Sequence, residues 1–254
     1  MDSPAMKAPL LAGMPMKIGV MGAATGELPK EHRDKAHRVG EQIARQGCIL
    51  ITGGCSGLPH AAACGAKQAG GFVIGISPGL SLDEHVQKYH SPTEFHDVLI
   101  YTGSGLMGRE VVNIRSSDIV VIIGGHSGTL GELAIAYDEG KLIGVLTGTG
   151  GISDMAKEIL AACRKETGAR VVYSDDPEHL IAELVRVYLE THHRRPSVFS
   201  GEGKPSQERD PVCGMGLDPQ RSVAERQRGG KRYLFCSTAC AARFDAEPER
   251  YTHA

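Results

Sequence analysis

Two stretches of the chain hold residue types that can do chemistry. The first runs Gly124-Gly-His-Ser-Gly-Thr-Leu-Gly-Glu132, directly after the apolar run Ile119 to Ile123. Glycine permits positive φ and close backbone approach, and a helix opening behind it offers free N–H groups and the positive end of its dipole. A phosphate is the ligand such a turn suits. Two further loops share this character: Gly19-Val-Met-Gly22-Ala-Ala-Thr-Gly26 and Thr52-Gly53-Gly54-Cys55-Ser-Gly57, each after an apolar run. Strand-to-helix turns need glycine in any case, so one loop alone is even between ligand site and turn; three together favour the ligand. The second stretch is Asp210-Pro-Val-Cys213-Gly-Met215 with, further on, Cys236-Ser-Thr-Ala-Cys240. The spacing lets Cys236 and Cys240 face one centre from a turn entering a helix, and thiolates select soft or borderline metals, namely Zn(II) or Cu(I). The competing reading is a small folded cap with free thiols.

Several classes lose ground. The dinucleotide fingerprint is missing after the first apolar run, the second ends in Thr52-Gly53-Gly54 where a ribose-binding acid would stand, and no Gly-Lys-Ser/Thr P-loop occurs. NAD and ATP are therefore disfavoured. With 28 basic and 30 acidic residues interspersed and a net charge of −2, no basic face argues for nucleic acid or an acidic membrane, and a small-molecule ligand is expected. No apolar run approaches the roughly 18 residues of a membrane span, and the first residues lack the order of a signal peptide. Seven cysteines, an odd number, fit a reducing compartment better than a disulfide framework, so a cytoplasmic protein is expected.

The elements that position these residues follow from periodicity. Ile18–Met21, Cys48–Thr52, Phe72–Ile76, Val98–Tyr101, Ile119–Ile123, Leu142–Leu146 and Val171–Tyr173 are short, continuously apolar and rich in β-branched residues, as strands covered on both faces should be. Between them lie helical stretches at His32–Gln46, Ser56–Ala69, Gly105–Arg115, Gly128–Glu139, Asp154–Glu166 and Pro177–Glu190. Strand and helix in alternation predict an α/β fold, a Rossmann-like parallel sheet with helices on both faces. After Glu190 the chain turns polar and rich in Gly, Pro and Ser, which reads as a linker before a small Cys-rich, metal-binding-type module. The expected organisation is a flexible N-terminus over 1–15, a nucleotide-binding domain over 16–191, a linker over 192–209 and a small domain over 210–254. His192 and His193 read as a solvated linker pair.

The glycine segments resemble a known family. Gly128-Thr129-Leu-Gly-Glu132 after Gly124-Gly125 is similar to the P-G-G-x-G-T-x-x-E motif of the Lonely Guy (LOG) family, long labelled lysine decarboxylase-like. Arg109 in Met107-Gly-Arg109 and Asp118 fall at the family's intervals, and Gly53-Gly54-Cys-Ser-Gly57-Leu58 resembles its other glycine segment. The likeness covers Met16 to Leu189. Gly124 stands where the motif has Pro, His126 where it has Gly, and Pro59 where Met is usual, which points to a divergent branch. The resemblance implies a Rossmann-like homodimer that binds a nucleoside 5′-monophosphate and hydrolyses its N-glycosidic bond to free base and ribose 5-phosphate without a cofactor. A nucleotide-binding sensor without turnover is the alternative. Under the resemblance Arg109 and Glu132 are the catalytic pair, and Gly22, Gly53, Gly54, Gly57, Gly124, Gly125, Ser127, Gly128 and Thr129 hold phosphate and nucleotide. Taken alone, a first-turn Glu simply suits the helix dipole and an Arg is a surface partner. His126 is read as an exposed turn residue, with a phosphate contact as the other option.

The cysteine module is similar to the YHS domain, related to TRASH-type metal modules: Asp-Pro-Val-Cys213-Gly-Met, Phe-Cys236-Ser-Thr-Ala-Cys240 and Phe244 through Pro248 to Tyr251 occur in order. So small a module needs a staple, which favours metal on Cys213, Cys236 and Cys240, the fourth ligand falling to His253, solvent or a partner. Cys48, Cys55, Cys64 and Cys163 are expected to be small apolar fillers, with a reservation for Cys55 as a reactive thiol at a helix start.

Overall fold

The structure is a computed structural model that describes residues 10–11, 14–192, 208–217 and 222–252. Most of the expected flexible N-terminus and linker, together with His193 and His253, lie outside the described residues, whereas His192, expected to be solvated, is buried. The chain divides into a large unit that spans 15–190 and a small one that spans 191–254.

In the large unit seven strands form one sheet: β1 (Lys17–Gly22), β2 (Ile49–Thr52), β3 (Val73–Ser77), β4 (Val98–Tyr101), β5 (Ile119–Ile123), β6 (Leu142–Leu146) and β7 (Arg170–Ser174). Every pairing is parallel and the order is β4-β3-β2-β1-β5-β6-β7. β5 and β6 are buried at every position, as their unbroken apolar runs require, whereas edge strand β4 is largely exposed. Six helices connect the strands: α1 (Lys30–Arg45), α2 (Leu58–Gln68), α3 (Gly105–Ser116), α4 (Ser127–Asp138), α5 (Gly151–Cys163) and α6 (Pro177–Glu190). Helices α3, α4 and α5 cover one face, where Ile114, Leu133, Ala136, Ala156 and Leu160 pack on Val120, Ile122, Ile143 and Val145. Helices α1, α2 and α6 cover the other.

The chain winds outward from β1 to β4, returns to β5 beside β1, and winds out again the other way. Open sheets bind ligands at such a reversal, outside the carboxyl ends of the strands. Here those ends lie unusually close: a Cβ on Gly22 would stand 2.3 Å from the Ile123 carbonyl oxygen. On the far face α1 and α2 cross backbone to backbone, since a Cβ on Gly40 would stand 1.8 Å from the Ala62 oxygen and one on Gly65 2.0 Å from that of His37. Gly40→Val is expected to force the helices apart and cost about 3 kcal/mol, read as a lower urea midpoint. An unchanged midpoint would contradict the crossing.

The expected architecture is present, with shifts at helix ends. The helix expected over 154–166 is α5, beginning at Gly151 and stopping at Cys163. Its Ile152 and Ser153 N–H groups donate to the carbonyls of Gly125 and Gly124, which starts the helix earlier than its glycines suggested. Cys48 is buried as expected, but Cys163 is exposed on the last turn of α5 and fills no core. No helix among the described residues is long and apolar enough to cross a membrane.

The small unit has a short pair, β8 (Glu208–Arg209) with β9 (Gly216–Leu217), and an antiparallel hairpin, β10 (Ala224–Arg228) with β11 (Lys231–Phe235). Helix α7 (Thr238–Ala246) packs Ala241 and Phe244 on Tyr233 and Phe235. Phe244 lies 4.9 Å from the Tyr233 ring and 5.2 Å from that of Phe235, so three aromatic rings supply most of this core.

Candidate functional site

At the reversal point the large unit opens a cleft of about 490 Å³, within the size range of small-molecule sites. Gly22 to Thr25 wall it from β1, Gly53, Cys55 and Ser56 from β2, Arg109 and Glu110 from α3, and Ser127 to Thr129 with Glu132 from α4. Lys88 and Tyr89, at the end of a short π-helical turn over Glu84–Lys88, stand at its rim with His126.

The start of α4 is the cleft's donor end. Its first ordinary backbone bond runs from Leu130 N–H to the His126 carbonyl at 2.9 Å, and no side chain caps the helix. Among the described residues no acceptor meets the N–H groups of Ser127, Gly128 or Thr129, so the positive end of α4 keeps three free donors on residues that line the cleft. The loop before them is clamped. Gly124 N–H donates to Thr149 Oγ1 at 3.0 Å, while the α5 amides hold the Gly124 and Gly125 carbonyls. Gly125 takes φ +102° with the Thr129 side chain 2.4 Å from where a Cβ would be. Among the residues expected to hold phosphate and nucleotide, Gly22, Gly53, Ser127, Gly128 and Thr129 line the cleft. Gly54, Gly57, Gly124 and Gly125 are not among the lining residues and are packed close to neighbouring atoms: Gly57 abuts the Ala23 carbonyl, for instance, and Gly54 the His85 ring. His126 is exposed at the rim and opens α4 with its carbonyl.

Arg109 and Glu132 both reach the cleft although they are only 8% and 6% exposed. Arg109 Nη1 donates to the Gly53 carbonyl and, at 3.4 Å, to that of Ile76, which ties the β2 loop to β3; its Nε is buried without a partner. Burial pushes the Glu132 carboxyl up to about 8, the Arg109 charge opposing and the Glu110 charge adding. Glu110 was not singled out from the sequence. It is 4% exposed, its carboxyl is likewise raised by burial against the pull of Arg109, and its Oε2 is buried without a partner. The signal that could have found it is Gly131, a glycine in mid-helix at a cost of about 1 kcal/mol: a Cβ there would stand 2.8 Å from Glu110 Oε2. The Cys55 thiol lines the cleft, and burial pushes it up more than Arg109 pulls it down, which works against an activated thiol.

The Glu132 environment has a stability consequence. Its native carboxyl keeps a proton up to about pH 8 while the unfolded chain releases it near 4.5. The native state thus holds more protons between those values, and stability falls as pH rises through that window, by up to roughly 1.4 kcal/mol per unit. Glu132→Gln is expected to flatten this decline and to be more stable than the parent at pH 8 in urea titrations. Parallel curves would refute the buried neutral acid.

In the small unit Cys213 Sγ lies 3.5 Å from Cys236 Sγ, which lies 3.8 Å from Cys240 Sγ. Ser237 caps α7 by accepting from Cys240 N–H at 3.2 Å, which sets Cys236 and Cys240 on either side of a helix start. Asp210, not expected here, completes a group whose ligand atoms all lie within 4.8 Å of one another. Its Oδ1 already accepts from Val212 and Cys213 N–H, and its Oδ2 from Cys236 N–H at 2.8 Å. Burial alone would raise this carboxyl, but those amides outweigh it and hold it below the usual range. Asp210 is thus the buried staple that draws the two Cys-bearing loops together. Three thiols around one point fit a thiophilic ion, Zn(II) or Cu(I).

An open parallel sheet with an anion-type helix start at its reversal point defines a Rossmann-like ligand-binding domain. Residues 15–181 match the model of the SLOG cluster4 family, and the chain belongs to that family; residues 209–254 match the YHS domain. An uncharacterized protein of Archaeoglobus fulgidus is 42% identical over 131 residues, 52% of this chain and 80% of that one. A copper-transporting P-type ATPase of Rhizobium leguminosarum bv. viciae is 49% identical over 43 residues, 17% of this chain but only 5% of the ATPase. The molybdenum cofactor carrier protein of Chlamydomonas reinhardtii is 31% identical with a TM-score of 0.55, over 68% of this chain and 98% of that one. The molybdenum cofactor binding protein of Rippkaea orientalis is 30% identical with a TM-score of 0.58, over 68% and 97%.

Proposed function

We propose that the large unit binds a nucleoside 5′-monophosphate or a chemically related phosphorylated heterocycle, its phosphate resting on the amides of Ser127, Gly128 and Thr129. The observation that carries this is the uncapped start of α4, where three N–H groups without an acceptor belong to residues that line a cleft of ligand size. The similar molybdenum cofactor carrier and binding proteins support it, since a phosphorylated heterocycle would ask for the same donors. Gly22, Gly53, Gly54, Gly57, Gly124 and Gly125 shape the loops that let the ligand approach. Calorimetry with AMP, GMP and inorganic phosphate tests the reading; heat absent for all three overturns it. The resemblance also implies a homodimer, for which exposed edge strand β4 offers an uncovered flank.

A second reading, hydrolysis of the N-glycosidic bond, is favoured by Glu132. A buried carboxyl that keeps its proton near neutrality can hand it to the departing base as the C–N bond breaks and then take back a proton from the water that adds to the oxocarbenium-like carbon, and Arg109 beside it can offset developing charge. Incubation with nucleoside monophosphates should then release free base, and no base above a Glu132→Ala control, despite binding, leaves a carrier or sensor.

In the small unit Cys213, Cys236 and Cys240 would hold one Zn(II) or Cu(I), which supplies a cross-link between two loops. Asp210 orients the loops, and the likeness to a copper-transporting ATPase supports a thiophilic ion.

A further inference from the structure

Neither the glycine loops nor the Arg109 and Glu132 pair accounts for Glu110. It is buried in the wall of the cleft with an unpartnered Oε2, and α4 is kept open for it. A Cβ at Gly131 would stand 2.8 Å from its Oε2 and one at Gly128 3.4 Å from its Oε1. The carboxyl group therefore runs along the first turn of α4, within about one 5.4 Å helical pitch of the amides assigned to phosphate. Glu132, equally buried, has no hydrogen-bond partner among the described residues and feels the Glu110 charge.

A carboxylate beside an anion cradle repels bare phosphate. The arrangement favours a ligand that brings, a few bonds from its phosphate, uncharged hydrogen-bond donors to satisfy the buried carboxyl groups. Vicinal sugar hydroxyls are such donors, and an acid accepting from ribose is a recurrent device in nucleotide-binding sheets. We infer that Glu110 is the specificity-determining residue of the cleft: it accepts hydrogen bonds from the ribose hydroxyls of a 5-phosphorylated ribosyl ligand and turns away inorganic phosphate. The inference rests on the phosphate reading of α4 given above.

The test is calorimetry on the full chain with AMP, its 2′,3′-dideoxy analogue and inorganic phosphate. The parent protein should bind AMP about tenfold or more tighter than the dideoxy compound, the scale of a hydrogen bond to a charged group, and phosphate more weakly still. Glu110→Gln should tighten inorganic phosphate several-fold and shrink the preference for the ribose form. Gly131→Ala, which sets a methyl group 2.8 Å from Oε2 and so displaces it, should shrink that preference with the charge retained, and thermal melts confirm that each variant is folded. Equal binding of AMP and the dideoxy compound by the parent overturns the assignment, as does a folded Glu110→Gln protein with unaltered preference and phosphate affinity. If phosphate binds and AMP binds no better, the Glu110 assignment alone falls; if neither binds, the α4 reading falls with it.

Discussion

Gly125→Ala is expected to lower nucleotide affinity by at least about a hundredfold and to cost roughly 2–4 kcal/mol of stability. Gly125 holds φ +102°, and a Cβ would meet Thr129 Cβ, Oγ1 and Cγ2 at 2.4 to 2.5 Å. Neither strain can relax locally, because the Gly124 and Gly125 carbonyls are gripped by the first amides of α5 and the Gly124 N–H by Thr149. The loop must move, and it carries His126 and the three donor amides with it. Gly70→Ala is the matching control: Gly70 has φ +77°, yet nothing lies within 4 Å of its Cβ position. That variant should lose about 1 kcal/mol through backbone strain and keep its affinity. Calorimetry and urea unfolding of both proteins check the pair of outcomes; comparable losses of affinity would show that the loop's clamp is irrelevant to binding.

The second large effect is expected on metal removal. Three aromatic rings and an alanine form the buried hydrophobic cluster of the small unit, with Leu217 and Leu234 also buried, which is little for so short a chain to stand alone. A structural ion contributes about 10–16 kcal/mol of apparent binding free energy in comparable zinc-finger peptides, and that energy is folding energy. A chelator, or the double substitution Cys236→Ser and Cys240→Ser, should therefore unfold residues 208–252 and leave the large unit intact. Elemental analysis should find about one ion per chain in the parent and none in the double variant, while amide NMR dispersion of Tyr233, Phe235 and Phe244 collapses. Equal metal in both proteins, or a dispersed spectrum in excess chelator, would end the ligand assignment.

Much of this was legible in the sequence because its signals are local. β5 and β6 are unbroken apolar runs, and burial on two faces is the one environment such runs fit. The three glycine loops announced where the cleft would open, and the Cys236 to Cys240 spacing announced the thiol cluster. What escaped depends on contacts between elements distant in sequence. Glu110 is unremarkable beside Arg109 until Gly131 is seen to make room for it. Asp210 looks like one letter of a motif until three amides from two loops converge on it. The start of α5 was placed too late because its first amides are satisfied by carbonyls of the α4 loop, a partnership no periodicity records. Arg109 is the subtler case: its position was found, yet Nη1 is committed to backbone carbonyls of two strands' ends, which makes it a clamp of the cleft as well as its cation.

Amide NMR of the 15N-labelled chain during an AMP titration shows whether the start of α4 receives the phosphate. The Ser127, Gly128 and Thr129 amide signals should move first and furthest, downfield as hydrogen bonds to phosphate form, and Gly125→Ala should abolish the movement. Saturable AMP binding that leaves those three signals in place would contradict that placement of the phosphate.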